Sequence, residues 1–233
     1  MKVKNNPQLL ARFAGVSYLA IIVFAALAYV GIRGRIVIGT DMARTISNLQ
    51  LHDQLYRVGF SAGVITVLCN VALGLLLYEL LKVVSQGLAR GLLAFIMVSA
   101  TIEAVNLYNY IAPLITATLP EYKAGFDPVA LQALIPGSGK LFAMGFGISL
   151  AFFGIYCILT GYLIVRSTFL PRAIGVLMIA AGVIYECQCL SVFLRLPEIP
   201  YILFVAFGAE LSLALWLLIM GVKEERWHEM AAA

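Results

Sequence analysis

The sequence predicts an all-α membrane protein, a polytopic bundle of six transmembrane helices, and three observations support that fold class. The chain has 233 residues, of which 62% are hydrophobic and only 12% are charged. A soluble domain carries about 25% charged residues, so this composition is typical of a chain embedded in lipid. The apolar residues form continuous runs of about 20 residues, which suits transmembrane helices and not the alternating strands of a transmembrane β-barrel. We expect a single integral membrane domain over residues 1–233.

The six predicted spans cover about residues 8–32, 58–84, 91–118, 141–165, 172–194 and 201–222. The first span follows Lys2 and Lys4 and contains Ala26-Leu27-Ala28, a small-residue pattern found at signal-peptide cleavage sites. The apolar run from Phe13 to Ile32 is long enough to cross a bilayer. We therefore expect an uncleaved first helix.

The loop after the first span is predicted to hold a short amphipathic helix. Thr40 is suited to cap its N-terminus, and the helix is expected to continue to about Leu55. Apolar residues recur along it at helical spacing, namely Met42, Ile46 and Leu49. Such a helix would lie on the bilayer surface or cover the end of the bundle.

A second short helix is predicted in the loop between the third and fourth spans. Asp127 and Pro128 are typical of a cap and a first helical position. The run Pro136-Gly137-Ser138-Gly139 is expected to end this helix before the fourth span begins.

The basic residues cluster near the ends of the spans, which predicts an orientation. Nine Lys and Arg residues fall on the side of the N-terminus and seven, Arg33 among them, on the opposite side. The positive-inside rule then places both termini in the cytoplasm. Tyr56 and Trp227 are expected to anchor the protein at the membrane interfaces. The basic residues form no long run, so the lipid bilayer is the expected partner and a nucleic acid is not.

Several stretches together resemble one family of bacterial membrane proteins. They are His52-Asp-Gln-Leu-Tyr-Arg-Val-Gly, Asn70-Val-Ala-Leu-Gly-Leu-Leu-Leu-Tyr-Glu-Leu-Leu, Phe153-Gly-Ile-Tyr-Cys-Ile-Leu-Thr-Gly-Tyr-Leu-Ile, Arg166-Ser-Thr-Phe-Leu-Pro-Arg-Ala-Ile-Gly-Val-Leu and Gly208-Ala-Glu-Leu-Ser-Leu-Ala-Leu-Trp-Leu-Leu. The combination resembles domain of unknown function four-three-eight-six, with the stretch from Arg166 to Gly175 as its most specific part. The resemblance implies a multi-pass protein of the bacterial inner membrane. It implies no activity, cofactor or catalytic residue.

Three glutamates, Glu103, Glu186 and Glu210, lie inside predicted spans with no Lys or Arg beside them. A charged side chain at the centre of a bilayer costs about 2.5–3.5 kcal/mol on insertion scales, so these residues are functional candidates. They lie 12, 14 and 9 residues from the starts of the third, fifth and sixth spans. At about 1.5 Å per residue, all three fall in one slab near the midplane. We predict a ligand- or proton-binding layer there.

Amide and hydroxyl side chains are expected to orient these carboxylates. Four polar residues share one face of the third span at helical spacing, namely Ser99, Glu103, Asn106 and Tyr110. Asn70 lies near the middle of the second span. We therefore predict a polar interior in which Asn70, Asn106 and Tyr110 accompany the glutamates.

The face of Glu186 on the fifth span also carries Gly175 and Gly182, whose lack of a side chain permits close helix approach. Cys187 and Cys189 are two residues apart, so on a helix they point about 200° from each other. Joint ligation of a metal by this pair is not expected.

The chain has only two histidines, His52 and His228, which removes His-cluster zinc sites and bis-His haem. No cofactor is predicted. A metal held by Glu103, Glu186 and Glu210 would be a hard divalent cation, because carboxylates favour calcium, magnesium or manganese. His52, beside Asp53 in an outer loop, is a candidate for the entrance to the binding layer.

Three hypotheses about function follow from these residues. The first is binding or transport of a proton, a cation or a small polar or cationic molecule by the carboxylate- and amide-lined pocket. The second is an intramembrane enzyme that acts on a lipid-like substrate with a buried glutamate as acid or base. The third is a scaffold or accessory subunit whose glutamates only form bonds between helices. We expect a binding or transport protein rather than an enzyme.

Overall fold

The computed structural model describes residues 6–120, 128–194 and 202–232, and the side chains of these residues except 128–134. Within these ranges the chain forms helices and no strand. The helices are α1 (Pro7–Ile36), α2 (Met42–Leu51), α3 (Asp53–Leu81), α4 (Gln86–Thr118), α5 (Pro128–Arg166), α6 (Arg172–Leu194), α7 (Ile202–Ile219) and α8 (Glu224–Ala232). The all-α class is confirmed.

Six of these helices are long and apolar enough to cross a bilayer, as predicted: α1, α3, α4, the part of α5 from Ile135 to Arg166, α6 and α7. The protein is a multi-pass membrane protein. The start of the fifth span agrees with the prediction, because Pro171 closes the preceding turn and Arg172 opens α6. The second span begins earlier than predicted, at Asp53. The predicted start of the sixth span at Tyr201 lies outside the described residues.

Helix α1 begins and ends differently from a regular α-helix. Asn6 caps it, since its Oδ1 accepts a hydrogen bond from the backbone N–H of Leu9 at 3.0 Å. Pro7 follows as the first helical residue, where a missing N–H costs nothing. From Ala26 to Arg33 the helix is π-helical. Wider turns of this kind are rare and occur often at functional sites.

The predicted amphipathic helix exists as α2, but its ends differ from the prediction. Asp41, not Thr40, is the cap, because its Oδ1 accepts from the N–H of Arg44 at 2.9 Å. The helix ends at Leu51, since His52 leaves helical geometry and α3 begins one residue later. Near the C-terminal end of α2, Gln50 donates to the carbonyl of Ala117 at 3.1 Å. This bond attaches α2 to the end of α4.

The second short helix is not separate, and the expectation that residues 136–139 end it is wrong. Among the described residues, α5 runs without a break from Pro128 through Pro136 to Arg166. Ser138 donates its hydroxyl to the carbonyl of Ile135 at 2.8 Å, in the turn that contains Pro136. Proline and glycine are tolerated in membrane helices, because hydroxyl side chains and neighbouring helices can satisfy the freed backbone groups. The predicted cap Asp127 lies outside the described residues.

The chain divides into two compact units, which are described separately. Unit 1 comprises Met1–Ile21, Leu68–Ala100 and Gly147–Ala233, and unit 2 comprises Ile22–Val67 and Thr101–Phe146. The expectation of one integral membrane domain over the whole chain stays a prediction.

In unit 1, glycines bring α5 and α6 into backbone contact. A side chain at Gly161 would clash with the backbone of α6 at Ile179, 2.7 Å from its nitrogen. A side chain at Gly182 would lie 2.9 Å from the nitrogen of Ile158. Gly175 is equally tight, 2.9 Å from the nitrogen of Val165. The predicted role of Gly175 and Gly182 in close helix approach is confirmed.

The C-terminal segment of unit 1 also packs inward. Gly221 ends α7 with a φ of 67°, a conformation that favours glycine. Trp227 in α8 is buried, and its indole N–H donates to the carbonyl of Leu80 at 2.9 Å. Trp227 is therefore not the interfacial anchor that the sequence suggested, because its polar atom is bonded inside the protein. Tyr56 in unit 2 is likewise completely buried.

Candidate functional site

Glu103 lies on α4 in unit 2 and is 9% exposed. The hydroxyl of Tyr29, in the π-helical part of α1, donates to its Oε1 at 2.7 Å. Gly63 on α3 has no side chain, and this leaves room for Leu107 and for the hydroxyl of Tyr29 beside it. Unit 2 thus holds a carboxylate inside a membrane-spanning segment next to a phenolic donor.

Aromatic rings surround this pair, and we call Tyr29, Tyr56, Tyr110, Phe142 and Phe146 the aromatic cluster. The Tyr29 ring lies 6.2 Å from Tyr110, 5.8 Å from Phe142 and 5.8 Å from Phe146, centroid to centroid. Tyr56 lies 4.9 Å from Tyr110. Tyr29 and Tyr110 meet their neighbours at tilted or edge-on angles, whereas Phe142 and Phe146 are stacked at a centroid distance of 6.4 Å. Tilted, edge-on and offset-stacked rings are the arrangements that the quadrupoles of aromatic rings favour.

The polar atoms of the cluster are fixed by backbone bonds between helices. Tyr110 donates its hydroxyl to the carbonyl of Ala28 at 3.0 Å, and Tyr56 donates to the carbonyl of Tyr110 at 2.8 Å. Asn106, one helical turn before Tyr110 on α4, donates to the carbonyl of Phe142 at 2.9 Å and accepts from Asn109 at 3.0 Å. The predicted residues Glu103, Asn106 and Tyr110 are all buried. The polar stripe therefore faces the interior, and it holds α1, α3 and α5 against α4 within unit 2.

Arg33 belongs to the same cluster, although the sequence placed it outside the membrane with the loop residues. It is 8% exposed, and its Nη1 donates to the hydroxyl of Tyr56 at 3.1 Å. Its guanidinium carbon lies 4.3 Å from the centroid of Phe142 and 5.6 Å from that of Tyr110. From the sequence, Arg33 was counted as a helix-end charge, whereas the π-helical turns carry α1 beyond it to Ile36.

Glu210 is the buried carboxylate of unit 1, at 7% exposure on α7. The hydroxyl of Tyr185 on α6 donates to its Oε1. Tyr18, Tyr156 and Cys157 of the same unit are completely buried as well. Unit 1 therefore holds a buried carboxylate bonded to a phenolic hydroxyl.

Glu186, also in unit 1, is only partly buried. Its Oε1 lies 2.6 Å from the position that a Cβ on Gly154 would take, so the missing side chain of Gly154 makes room for it. Cys187 is exposed and Cys189 is buried, as expected for residues on opposite sides of α6.

The structure brings together part of the predicted site. Glu103, Asn106 and Tyr110 lie in unit 2, whereas Glu186, Glu210 and Asn70 lie in unit 1. That the three glutamates form one layer stays a prediction. In the part of the chain that the structure describes, no three His, Cys, Asp or Glu side chains form a group suited to a metal ion. His52 is exposed at the turn between α2 and α3, and its role at an entrance stays a prediction.

A groove of about 270 Å³ opens elsewhere in unit 1, between the α5–α6 turn and the end of α7. Its lining includes Phe169, Pro171, Trp216 and Lys223 and none of the three glutamates. It is therefore distinct from the Glu210 site of the same unit.

The sequence reasoning missed the tyrosines that serve both carboxylates, as well as Arg33. A signal was present, because the chain has 11 tyrosines and buried tyrosines need a hydrogen-bond partner. Tyr29 and Arg33 are also four residues apart, which places them on one face of a helix.

Comparison with known proteins identifies a family and no activity. The model of the family described as "Domain of unknown function (DUF4386)" matches residues 13–221. No curated protein and no solved structure matches the chain.

Proposed function

The chain belongs to the family Domain of unknown function (DUF4386), and for this multi-pass membrane protein we propose that it binds a small polar or cationic molecule and carries it across the membrane. The binding site is the aromatic cluster of unit 2 with Glu103, Asn106 and Tyr110. The observation that carries the proposal is the carboxylate of Glu103, buried in a spanning helix and held by Tyr29 among aromatic rings.

The chemistry of this site suits an ammonium group or a polar hydrogen-bond donor. A carboxylate attracts a cation strongly where water is excluded. Ring faces attract cations as well, by about 0.5–2 kcal/mol per contact. Ionisable residues inside membrane-spanning segments commonly mark the path of a substrate or ion, because their insertion is costly.

Uptake of labelled ethylammonium into proteoliposomes tests the proposal. Wild type is expected to accumulate it faster than empty liposomes, and Glu103→Gln is expected to lose most of that flux. Glu229→Gln is the matched control, because Glu229 is exposed in α8 and the same charge is removed. Equal uptake by wild type and Glu103→Gln would contradict the proposal and favour a scaffold whose glutamates only join helices.

A second candidate function is proton exchange at Glu210, and the hydroxyl of Tyr185 on its carboxylate supports it. Tyr18 and Tyr156 are buried in the same unit, and their hydroxyls have no hydrogen-bond partner among the described residues, so they are available to a proton relay. Proteoliposomes that contain a pH-sensitive dye test this function. Glu210→Gln is expected to abolish proton flux, and flux equal to that of wild type would exclude Glu210 as the exchanging group.

A further inference from the structure

Arg33 is the only Lys or Arg that is buried among the residues the structure describes. It lies in a membrane-spanning helix, at the end of the π-helical turns of α1. Burial of a cation without a counter-charge is expensive, so structures normally pair it with an anion. The groups around this guanidinium therefore show whether the protein itself supplies the anion that pairs with it.

The guanidinium uses a small part of its hydrogen-bonding capacity. Arginine has five N–H donors in a planar fork, and Arg33 donates one bond, to Tyr56. Among the described residues no carboxylate lies within ion-pair distance of it. Phe142 and Tyr110 present ring faces to the cation, which offset part of its charge but accept no in-plane N–H bond.

We propose that Arg33 binds an anionic group, a carboxylate or a phosphate, and that the ligand of this site is therefore a zwitterion. A planar fork with free donors fits the two oxygens of such a group. This inference rests on the proposed function, in which the cationic or polar end of the ligand lies toward Glu103.

The groups proposed to bind the amino end and the acidic end of the ligand lie beside the same aromatic cluster. Tyr29, which holds Glu103, and Arg33 are four residues apart on α1. Both residues contact Phe142 and Tyr110. A positive and a negative group of the protein thus flank one set of rings, and a molecule with one amino and one acidic group complements them.

Thermal unfolding of the purified protein in an uncharged detergent tests the inference. The probes are acetate, ethylammonium and the ω-amino acids glycine, β-alanine, 4-aminobutyrate and 6-aminohexanoate, whose lengths increase in steps. Because a ligand stabilises the state it binds, each probe that fits is expected to raise the Tm in a saturable way. One length of amino acid is expected to act at lower concentration than acetate or ethylammonium.

Arg33→Gln is expected to weaken the effects of acetate and of the amino acids by about tenfold or more, and to leave the effect of ethylammonium unchanged. Glu103→Gln is expected to weaken the effect of ethylammonium and to leave the effect of acetate unchanged. Arg35→Gln is the matched control, because Arg35 is two residues away and exposed. If Arg33→Gln does not fold, Arg33→Lys takes its place, since lysine keeps the charge and loses the planar fork.

The outcomes separate the two proposals. If Arg33→Gln and Arg35→Gln respond alike to acetate, the anion site is refuted, and loss of the ethylammonium response in Glu103→Gln still supports the proposed function. If no probe shifts the Tm of wild type, both proposals fail.

A further arm repeats the titration with phosphatidylethanolamine, which carries a phosphate and an amino group. An Arg33-dependent response to that lipid alone assigns the zwitterion to a headgroup, and a response to the amino acids assigns it to a free solute.

Discussion

The hydrogen bond from Tyr29 to Glu103 joins α1 to α4 at the centre of the proposed site. Bonds of this kind between membrane helices contribute about 0.6–2 kcal/mol. Tyr29→Phe removes the donor and keeps the ring contacts with Phe142 and Phe146. We expect the unfolding free energy in detergent to fall by that amount.

A double-mutant cycle measures the bond itself. Tyr29→Phe combined with Glu103→Leu is expected to be less destabilising than the sum of the single changes, because leucine has no acceptor and both changes therefore remove the same interaction. Tyr108→Phe serves as the control, since Tyr108 on α4 is 75% exposed. Additive effects of the two single changes would show that this bond contributes nothing to stability.

At this scale the sequence predicts some of the site and misses the rest. Glu103 and Asn106 are found because a carboxyl or amide in an apolar run is conspicuous by its insertion cost. Tyr29 and Tyr56 are missed because tyrosine is common both in cores and at membrane interfaces. Only the packing of α1 and α3 against α4 shows which tyrosine hydroxyls meet a polar partner.

The packing of α5 on α6 depends on glycines at their contact. Gly161→Ala would place a Cβ against the backbone of Ile179, which cannot move without shifting α6. We expect a loss of about 1–3 kcal/mol, the usual cost of overpacking. Gly208→Ala on α7 is the control, because nothing lies within 4 Å of its added Cβ, and alanine favours a helix. Equal stability of the two variants in thermal unfolding would contradict this account.

Helix α8 is held to unit 1 by the indole of Trp227. Trp227→Phe removes the bond to Leu80 and leaves a buried carbonyl without it, at a cost of about 1–3 kcal/mol. We expect faster cleavage by trypsin after Lys223 and Arg226, measured by mass spectrometry. Met230→Leu, a change in α8 that keeps Trp227 and its bond, is expected to cleave at the wild-type rate. Unchanged cleavage of Trp227→Phe would mean that other contacts hold α8.

The limits of prediction at the scale of elements have physical causes. The span from Arg172 to Leu194 is predictable because Pro171 and the charge of Arg172 mark its start. The continuity of α5 through Pro136 is not predictable from turn residues, because their tendency to end a helix is measured in water. The π-helical turns from Ala26 to Arg33 leave no mark in hydrophobic periodicity, since every side of that helix is apolar.

The burial of Arg33 alters the charge argument for the orientation of the whole protein. Of the seven basic residues counted opposite the N-terminus, Arg33 is buried, whereas Arg35, Arg44 and Arg57 are exposed. Removal of the buried residue from the count leaves nine against six. The positive-inside rule concerns charges near the membrane surface, and a buried guanidinium is not among them, so the bias toward a cytoplasmic N-terminus becomes larger.

We propose that both termini lie on the cytoplasmic side of a bacterial inner membrane, because an even number of spans returns the chain to the side on which it began. A fluorescent protein fused after α8 is expected to fluoresce, and alkaline phosphatase fused there is expected to be inactive, because the phosphatase matures only outside the cytoplasm. Fusions at Gly39, in the exposed turn after α1, are expected to give the opposite pattern. Active phosphatase after α8 would reverse the orientation, and it would place the α1 end of the site, with Arg33, on the cytoplasmic side. The direction from which an anionic group reaches Arg33 therefore depends on this measurement.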